Sequence, residues 1–314
     1  MSFSSDVKNE LSRVDEPKKC CMLAEISGFL RLSGTLGLAG GGKYFVKLTT
    51  EDPAIARLFV KRMKAYFGAS STLRVEENAP LKRGRVYELT IGPEEGSEMI
   101  LRETGILLVR QGSNFFSEEV PEAIVKKKCD KKAFLRGVFL GGGTVSSPEK
   151  SYHLEMTCGS AALADDIRRV ANAFGLRAKI TERRGKFVVY LKESEQICDF
   201  LSVIGADSSR LYFENVRIVK EAKNRTNRLA NFENANIDRA AGNAAKQLEA
   251  IRKIERRIGL DSLKPALRQA AELRLAHPEA ALVELAELAD PPVSKSGMNS
   301  RLKNLETIAG KLEG

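Results

Sequence analysis

The stretch Ala-Phe-Leu-Arg-Gly-Val-Phe-Leu-Gly-Gly-Gly-Thr-Val, residues 133–145, decides the fold of this chain. Its apolar residues recur at helical spacing, at Phe134, Leu135, Val138 and Phe139. Gly137 lies on the same face, although glycine inside a helix costs about 1 kcal/mol relative to alanine. Because only a hydrogen atom fits between two backbones in contact, the spacing predicts that a second helix packs closely against this one.

A second stretch, residues 24–36, supplies that helix and reads Ala-Glu-Ile-Ser-Gly-Phe-Leu-Arg-Leu-Ser-Gly-Thr-Leu. At one fixed offset Gly28 aligns with Gly137, and Thr35 aligns with Thr144. Self-similarity at a fixed offset indicates an internal duplication. We therefore predict that the two helices pack against each other through Gly28 and Gly137.

The duplication continues beyond the helices. Each copy reads as helix, two strands, helix, two strands, helix, and the copies span about residues 20–105 and 130–205. The predicted fold class is α+β: a two-copy, pseudo-twofold domain of mixed or antiparallel sheets with helices over residues 1–220. An all-α domain is predicted to follow it.

These paired glycine-bearing helices resemble those of the LAGLIDADG homing-endonuclease fold in its single-chain, two-copy form. In that family each helix ends in an acidic residue that holds a divalent metal over the scissile phosphates. The corresponding positions here are Ser33 and Gly142, and the other acidic position of the motif holds Arg31 and Leu140. Metal-dependent phosphodiester hydrolysis needs hard oxygen ligands. The resemblance therefore implies the scaffold without the nuclease chemistry.

Charge and composition indicate the class of partner. The 314 residues include 51 Lys+Arg against 41 Asp+Glu, which gives a formal net charge of +10. Such a balance makes an acidic polymer the first partner to test. No N-terminal apolar run or window of transmembrane length is present, so we expect a cytoplasmic, nucleoid-associated protein without a membrane partner.

Cysteine and histidine usage predicts neither a metal site nor a cofactor. The cysteines form no CxxC pair and read as reduced, mostly buried thiols. The histidines lie far apart in sequence. These residues are Cys20, Cys21, Cys129, Cys158 and Cys198, with His153 and His277.

Two basic segments have open interpretations. Lys126, Lys127 and Lys128 precede the second motif helix, either as a solvated helix end or as phosphate contacts. The Asn-rich passage at residues 227–239 favours turns and caps. We predict a basic linker at residues 221–243, which is either simply solvated or a DNA-tracking arm.

The segment 244–314 is predicted to be a helix-turn-helix domain. Pro291 and Pro292 end one helix, and Ser294 caps the next. Small polar and basic side chains at the start of such a helix contact phosphates and base edges. An ordinary bundle with a solvated polar face is the alternative. The predicted DNA contacts here are Ser294, Lys295, Ser296, Asn299, Ser300, Arg301 and Lys303.

The combination of parts resembles the bacterial WhiA family. The residues that carry the resemblance are Phe29–Gly34, Phe134–Gly143, Asn231–Arg239 and Pro291–Leu305. It implies a non-catalytic, DNA-binding transcriptional regulator linked to sporulation in some bacteria and to cell division and chromosome segregation in others. Double-stranded DNA is the implied partner, and RNA polymerase or another regulator is left open as a further one.

Two functions from other classes compete with this reading. The first is a divergent metal-dependent endonuclease that uses acids outside the motif, such as Glu51 and Asp52, or Glu155. The second is a protein-interaction scaffold on a dead nuclease fold. The charge of the sheet face distinguishes the scaffold from a DNA-binding protein.

Overall fold

The structure, a computed structural model, describes residues 2–15, 18–77 and 85–312. It divides into two compact units, Met1–Lys220 and Glu221–Gly314. The first unit combines helices and sheets and the second is helical, so the predicted α+β class is confirmed. Among the described residues no helix combines the length and apolar character needed to cross a membrane.

The first unit contains the duplication that the sequence predicted, preceded by the short helix α1 (Phe3–Leu11). The first copy consists of α2 (Lys19–Ser33), β1 (Gly34–Gly40), β2 (Lys43–Thr50), α3 (Pro53–Phe67), β3 (Thr72–Glu77), β4 (Arg85–Ile91) and α4 (Ser97–Glu103). A hairpin that we did not predict follows, formed by β5 (Leu107–Arg110) and β6 (Ser113–Phe116). The second copy consists of α5 (Lys128–Gly142), β7 (Gly143–Val145), β8 (Leu154–Cys158), α6 (Ala161–Asn172), β9 (Lys179–Arg183), β10 (Lys186–Leu191) and α7 (Ser194–Ile204).

Each copy forms a four-stranded sheet with the same topology. The strand orders are β1-β2-β4-β3 and β7-β8-β10-β9. Every neighbouring pair in both sheets is antiparallel. Strands β1 and β7 start directly after α2 and α5 end. The sheets therefore begin at the C-terminal ends of the two motif helices.

The two motif helices touch through glycine, as predicted. A Cβ atom on Gly28 would lie 2.4 Å from the carbonyl oxygen of Phe134. A Cβ atom on Gly137 would lie 2.0 Å from the carbonyl oxygen of Glu25. Such contacts exclude any side chain larger than hydrogen. The duplicated glycines thus form the seam between α2 and α5.

A buried ion triad lies beside this seam. Glu25 is fully buried and accepts hydrogen bonds from Nε and Nη2 of Arg136 at 3.0 and 2.8 Å. The Nε atom of Arg62 lies 3.6 Å from Oε1 of the same carboxylate. Arg62 also donates to the carbonyl of Val14 at 3.0 Å. The triad links α2, α3 and α5, and nothing in the sequence pattern indicated it.

One prediction of local structure is wrong. We expected turns in the Asn-rich passage, but helix α8 runs without a break from Asp207 to Ile258. Asparagine costs only a few tenths of a kcal/mol more than a good helix former at a helical position. The Asn side chains there are exposed, so they are free to stay solvated on the helix surface. Good helix formers between them, such as Arg228, Leu229 and Ala230, outweigh this small penalty.

Further helices follow α8 in the second unit. They are α9 (Pro265–Ala276), α10 (Leu282–Glu287) and α11 (Lys295–Lys311), with a 3₁₀ turn at Leu260–Ser262. They share a core with the end of α8, formed by Ile251, Ile254, Ala270, Ala271, Leu285, Ala286, Ala289, Met298, Leu302, Leu305 and Ala309. The predicted cap of α11 is confirmed, because the hydroxyl of Ser294 accepts a hydrogen bond from the backbone N–H of Gly297 at 3.1 Å.

Candidate nucleic-acid interface

The start of α11 presents a polar surface without acidic groups. Leu302 and Leu305 are buried on its inner face. Asn299 is half-buried, and the exposed side chains are Ser294, Lys295, Ser296, Ser300 and Lys303. No Asp or Glu occurs between Ser294 and Asn304. The N-terminal end of a helix also carries partial positive charge, so this surface is suited to phosphate oxygens.

Arg301 differs from the other predicted contacts. Its side chain is half-buried, and Nη1 donates to Oε1 of Gln269 at 3.1 Å. Gln269 in turn donates to the carbonyl of Asp290 at 2.6 Å. These bonds connect α11 to α9 and to the turn that follows α10. At least one donor of Arg301, its Nη1 atom, is therefore used in a contact that stabilises the helix-turn-helix.

Ser33 and Gly142 occupy the positions at which the LAGLIDADG motif has its metal-binding acids, and we call them the degenerate acidic positions. The surroundings of both are unsuited to a metal ligand. The hydroxyl of Ser33 donates back to the carbonyl of Phe29 at 2.9 Å. A Cβ atom on Gly142 would lie 2.8 Å from Cδ2 of Leu32 and 3.1 Å from the carbonyl oxygen of Thr157. An aspartate at position 142 would therefore need its surroundings to move.

Arg31 occupies the other position of the motif and has a structural partner set. Its guanidinium donates to the carbonyls of Ser117, Glu118 and Gly105 at 3.0, 3.1 and 3.0 Å. Burial lowers its pKa to about 10. These hydrogen bonds hold the segment that connects the two copies. Its counterpart Leu140 is buried in the core.

Glu51, Asp52 and Glu155, the carboxylates that an endonuclease would use, interact with other groups of the protein. Asp52 accepts from the backbone N–H of Ala54 at 2.8 Å and caps α3. Burial lowers the pKa of Lys8, and the charges of Asp52 and Glu51 act to raise it. Glu155 lies 3.0 Å from Nε2 of His153. Each of these carboxylates therefore interacts with a hydrogen-bond donor or a cationic group.

The outer face of the second sheet is basic. Residues opposite each other in antiparallel strands share a face, and the register pairs Tyr190 with Lys179 and Glu155, and Lys186 with Arg183. Exposed cations on this face are Lys179, Arg183 and Lys186. Glu155 is the one carboxylate among the described strand residues of this face, and Arg183 Nη1 lies 3.4 Å from it. We call Glu155, Lys179, Arg183, Lys186 and Tyr190 the second sheet face.

The hairpin at the end of this face adds further charge. Arg184 and Gly185 form the turn between β9 and β10, with φ values of +52° and +71°. Two consecutive positive φ values are typical of the tight turns that match the twist of a hairpin. The turn therefore presents Arg183, Arg184 and Lys186 together, and all three are exposed.

The outer face of the first sheet is balanced in charge over its described residues. Lys47 opposes Thr90, Glu88 opposes Arg74, and Glu76 lies two residues from Arg74 on the same side of β3. Lys43, on the same side of β2 as Lys47, forms an ion pair with Glu94 at 3.1 Å. Lys47 forms an ion pair with Glu88 at 2.9 Å. Phe45 lies across Gly37 on the same face, where a Cβ atom would be 2.1 Å from the ring. We call Phe45, Lys47, Arg74, Glu88 and Thr90 the first sheet face.

The lysines before the second motif helix lie away from both degenerate positions. Lys126, Lys127 and Lys128 are exposed at the N-terminal end of α5, whereas Gly142 ends it. A helix of 15 residues is about 22 Å long. These lysines and the sheet strands that follow Gly142 are therefore at opposite ends of α5.

The N-terminal ends of α2 and α5 bring together four side chains that no single sequence motif groups. Ligand atoms of Cys20, Cys21, Cys129 and Asp130 all lie within 4.8 Å of one another. All five cysteines of the chain are outside disulfide bonds. The fixed offset that aligns Gly28 with Gly137 also aligns Cys20 with Cys129. The repeat was thus the available signal that these residues occupy equivalent positions on the two helices.

Comparison with known families finds three domain models that match successive parts of the chain. The WhiA N-terminal LAGLIDADG-like domain matches residues 19–107, and the WhiA LAGLIDADG-like domain matches residues 131–223. The WhiA C-terminal HTH domain matches residues 226–309. Two solved structures of such proteins are similar to this one. Full-length DUF199/WhiA from Thermatoga maritima has a TM-score of 0.58 and 26% identity and covers 99% of both chains.

The second solved structure is that of the N-terminal LAGLIDADG domain of DUF199/WhiA. It has a TM-score of 0.51 and 25% identity and covers 65% of this chain and 90% of that one. Relatives by sequence cover the whole chain. The probable cell division protein WhiA of Alkaliphilus metalliredigens is 42% identical over 314 residues, 100% of this chain and 99% of that protein. The protein of the same name from Clostridium beijerinckii is 45% identical over 312 residues, 99% of each. The domain matches and these full-length relatives together show that this chain belongs to the WhiA family.

Proposed function

We propose that this chain is a DNA-binding transcriptional regulator without nuclease activity. The observation that carries the proposal is the start of α11, an exposed basic and polar helix end in a helix-turn-helix domain. In such domains the second helix lies in the major groove, and its first residues contact base edges. In this proposal Asn299 reads a base, since asparagine can bind adenine through two hydrogen bonds.

Phosphate contacts carry the rest of the affinity. We assign them to Lys295 and Lys303, with Ser294, Ser296 and Ser300 donating hydroxyl hydrogen bonds. The second sheet face adds sequence-independent contacts in the first unit. The lysines at positions 126–128 are not part of this surface, because they lie at the other end of α5. In this proposal residues 221–243 connect the two domains and contribute exposed cations of their own, such as Lys223, Arg225 and Arg228.

The test is a salt titration of binding by the full chain. A DNA site is first selected in vitro, and binding to it is compared with binding to random DNA. Asn299→Ala should lose about 1–3 kcal/mol on the selected site and little on random DNA. Lys295→Ala and Lys303→Ala should weaken binding to both and reduce the salt slope by about one unit each.

Lys311→Ala is the matched control, because Lys311 is an exposed lysine at the opposite end of α11. It should leave both affinities unchanged. Equal losses for Asn299→Ala on the selected site and on random DNA would contradict the base-reading role. A selection that yields no preferred site would contradict a specific regulator altogether.

The absence of nuclease activity is part of the same proposal. Ser33 and Gly142 supply no carboxylate, and Glu51, Asp52 and Glu155 interact with other groups. Supercoiled plasmid incubated with the protein and Mg²⁺ or Mn²⁺ should stay intact at every protein concentration. Metal-dependent nicking that co-purifies with the protein, and that Glu155→Gln abolishes, would favour the endonuclease instead.

The cellular process follows from the names of the relatives. Proteins that are 42–45% identical are named probable cell division proteins. We therefore propose that this chain controls genes for cell division and chromosome segregation, or for sporulation where the cell sporulates. RNA polymerase or another regulator is a candidate partner at those promoters. Mapping bound sites in cells and measuring transcripts after depletion of the protein tests this part.

A further inference from the structure

The side-chain cluster at the N-terminal ends of α2 and α5 is built from metal-ligand residues. Cys20, Cys21, Cys129 and Asp130 contribute three sulfur atoms and one carboxylate. Within the part of the chain that the structure describes, it is the one group of three or more Cys, His, Asp or Glu side chains close enough to share an ion. It consists of residues from both copies, and Cys21 and Asp130 are separated by 109 residues in sequence.

The spacing of the cluster approaches that of a tetrahedral site. A Zn–S distance of about 2.3 Å places neighbouring sulfurs about 3.8 Å apart. The four ligand atoms here lie within 4.8 Å of one another. Oδ1 of Asp130 lies 3.8 Å from Sγ of Cys21 and 3.4 Å from Sγ of Cys129. A closure of about 1 Å by rotation of the half-buried Cys20 and Cys129 side chains would therefore complete the coordination sphere.

The carboxylate of Asp130 is oriented for this role. Its Oδ2 atom accepts a hydrogen bond from the backbone N–H of Lys127 at 3.1 Å. The other oxygen, Oδ1, faces the thiols. Metal ligands are commonly fixed in this way by a hydrogen bond to the atom that does not bind the ion. Asp130 is 3% exposed, and this burial also limits competition by water.

The surroundings favour an anionic complex. Three thiolates and one carboxylate around Zn²⁺ carry a formal excess of negative charge. The N-terminal ends of α2 and α5 both lie at the cluster, and each carries partial positive charge. Exposed lysines begin both helices, at Lys19 and at Lys127 and Lys128. The role of the lysines before α5 is therefore to stabilise the negative charge of the complex at this end of the helix.

We propose that Cys20, Cys21, Cys129 and Asp130 bind one Zn²⁺ ion that joins the N-terminal ends of α2 and α5. This site is distinct from the degenerate acidic positions, which lie at the C-terminal ends of the same helices, about 20 Å away. On binding, the three thiols release their protons, and the ion takes the place of these protons between the ligands. The ion stabilises the folded chain, because the unfolded chain does not hold the four ligands together.

The experiment uses the full chain, purified in reducing buffer without a chelator. Elemental analysis should find about one zinc ion per chain, as a four-ligand structural site requires. The metal-free protein, titrated with Co²⁺, should develop sulfur-to-metal charge-transfer absorption and the visible bands of tetrahedral cobalt. Zn²⁺ should then displace the cobalt. Cys20→Ser and Cys129→Ser should each lower the affinity at least about tenfold, as losses around metal sites typically do.

Cys198→Ser is the matched control, because Cys198 is buried elsewhere in the first unit. It should keep the full zinc content and the cobalt spectrum. Cys20 and Cys129 are only half-buried, so their variants should fold, which circular dichroism of each will verify. The proposal is overturned if the reduced wild-type chain binds neither Zn²⁺ nor Co²⁺ in stoichiometric amount. It is equally overturned if folded Cys20→Ser and Cys129→Ser bind as tightly as Cys198→Ser.

Discussion

The two copies of the first unit share a seam but differ in their faces. Gly28 and Gly137 make equivalent backbone contacts between α2 and α5. The two sheets have the same strand order. Their outer faces differ, however, since the first sheet face pairs Lys47 with Glu88, whereas the second carries a group of exposed cations. The contact between helices constrains both copies alike, because it tolerates no side chain. The outer faces are free to diverge in charge.

The seam itself is not fully symmetric. The fixed offset aligns Glu25 with Phe134, and Arg136 with Ser27. The buried ion triad therefore has no counterpart in the other copy. Buried charges of this kind depend on each other, because removing one leaves the rest without compensation. The comparison of the copies thus separates shared packing from contacts that belong to one copy.

The largest expected effect comes from breaking the buried ion triad, which has no symmetric counterpart. Glu25→Ala leaves the guanidinium groups of Arg62 and Arg136 buried without a counter-charge. Removing one partner of a buried ion pair typically costs about 3–5 kcal/mol. Urea unfolding of the full chain should show this loss in the transition of the first unit. The control is Glu98→Ala, which removes an exposed pair with Arg102 and should cost about 0.5 kcal/mol or less. A loss of similar size in both variants would mean that the triad contributes nothing special.

The next effect tests the shared seam. Gly137→Ala and Gly28→Ala each place a methyl group against a backbone carbonyl oxygen of the facing helix. Overpacking of this kind typically costs about 1–3 kcal/mol. Both melting temperatures should fall by similar amounts, because the two glycines occupy equivalent positions.

Gly159→Ala provides the control for the glycine variants. A Cβ atom at Gly159 would meet no heavy atom within 4 Å. Its melting temperature should change little or rise slightly. Unchanged melting of Gly137→Ala would contradict the close approach of α2 and α5.

The smallest effect sharpens the difference between the sheet faces. Lys186→Ala on the second sheet face should weaken binding to random DNA and lower the salt slope by about one unit. Lys47→Ala on the first sheet face should leave the slope unchanged, because Lys47 is paired with Glu88. Electrophoretic or fluorescence titrations at several salt concentrations measure both. Equal slopes for the two variants would remove the asymmetry from the proposed DNA surface.

Much of the fold followed from local patterns. Glycine in an apolar helical stretch indicated a backbone contact, and its repetition indicated the partner. The N-cap at Ser294 followed from the side chain itself, since a hydroxyl at that position accepts a hydrogen bond from a free backbone N–H. The Asn-rich passage failed as a predictor, because single propensities of a few tenths of a kcal/mol are easily outweighed by neighbours.

The candidate sites were harder to predict than the fold. The residues at the start of α11 are adjacent in sequence, so a pattern could indicate them together. Lys179, Arg183 and Lys186 share one face through strand register, and register is set by pairing rather than by any single strand. The lysines at positions 126–128 could be recognised as a basic run before the second motif helix, but their place relative to the second sheet face could not be predicted.

The sequence by itself determined the duplicated α+β architecture, the glycine seam and the capped final helix, because each depends on residues that are close together or repeat at a fixed offset. Only the tertiary structure decided what meets across the seam. Glu25 finds Arg62 and Arg136 there, and Cys20 and Cys21 find Cys129 and Asp130. The physical reason is that charge pairing and metal coordination require atoms within a few ångströms. For residues far apart in the chain, packing of the helices sets that distance.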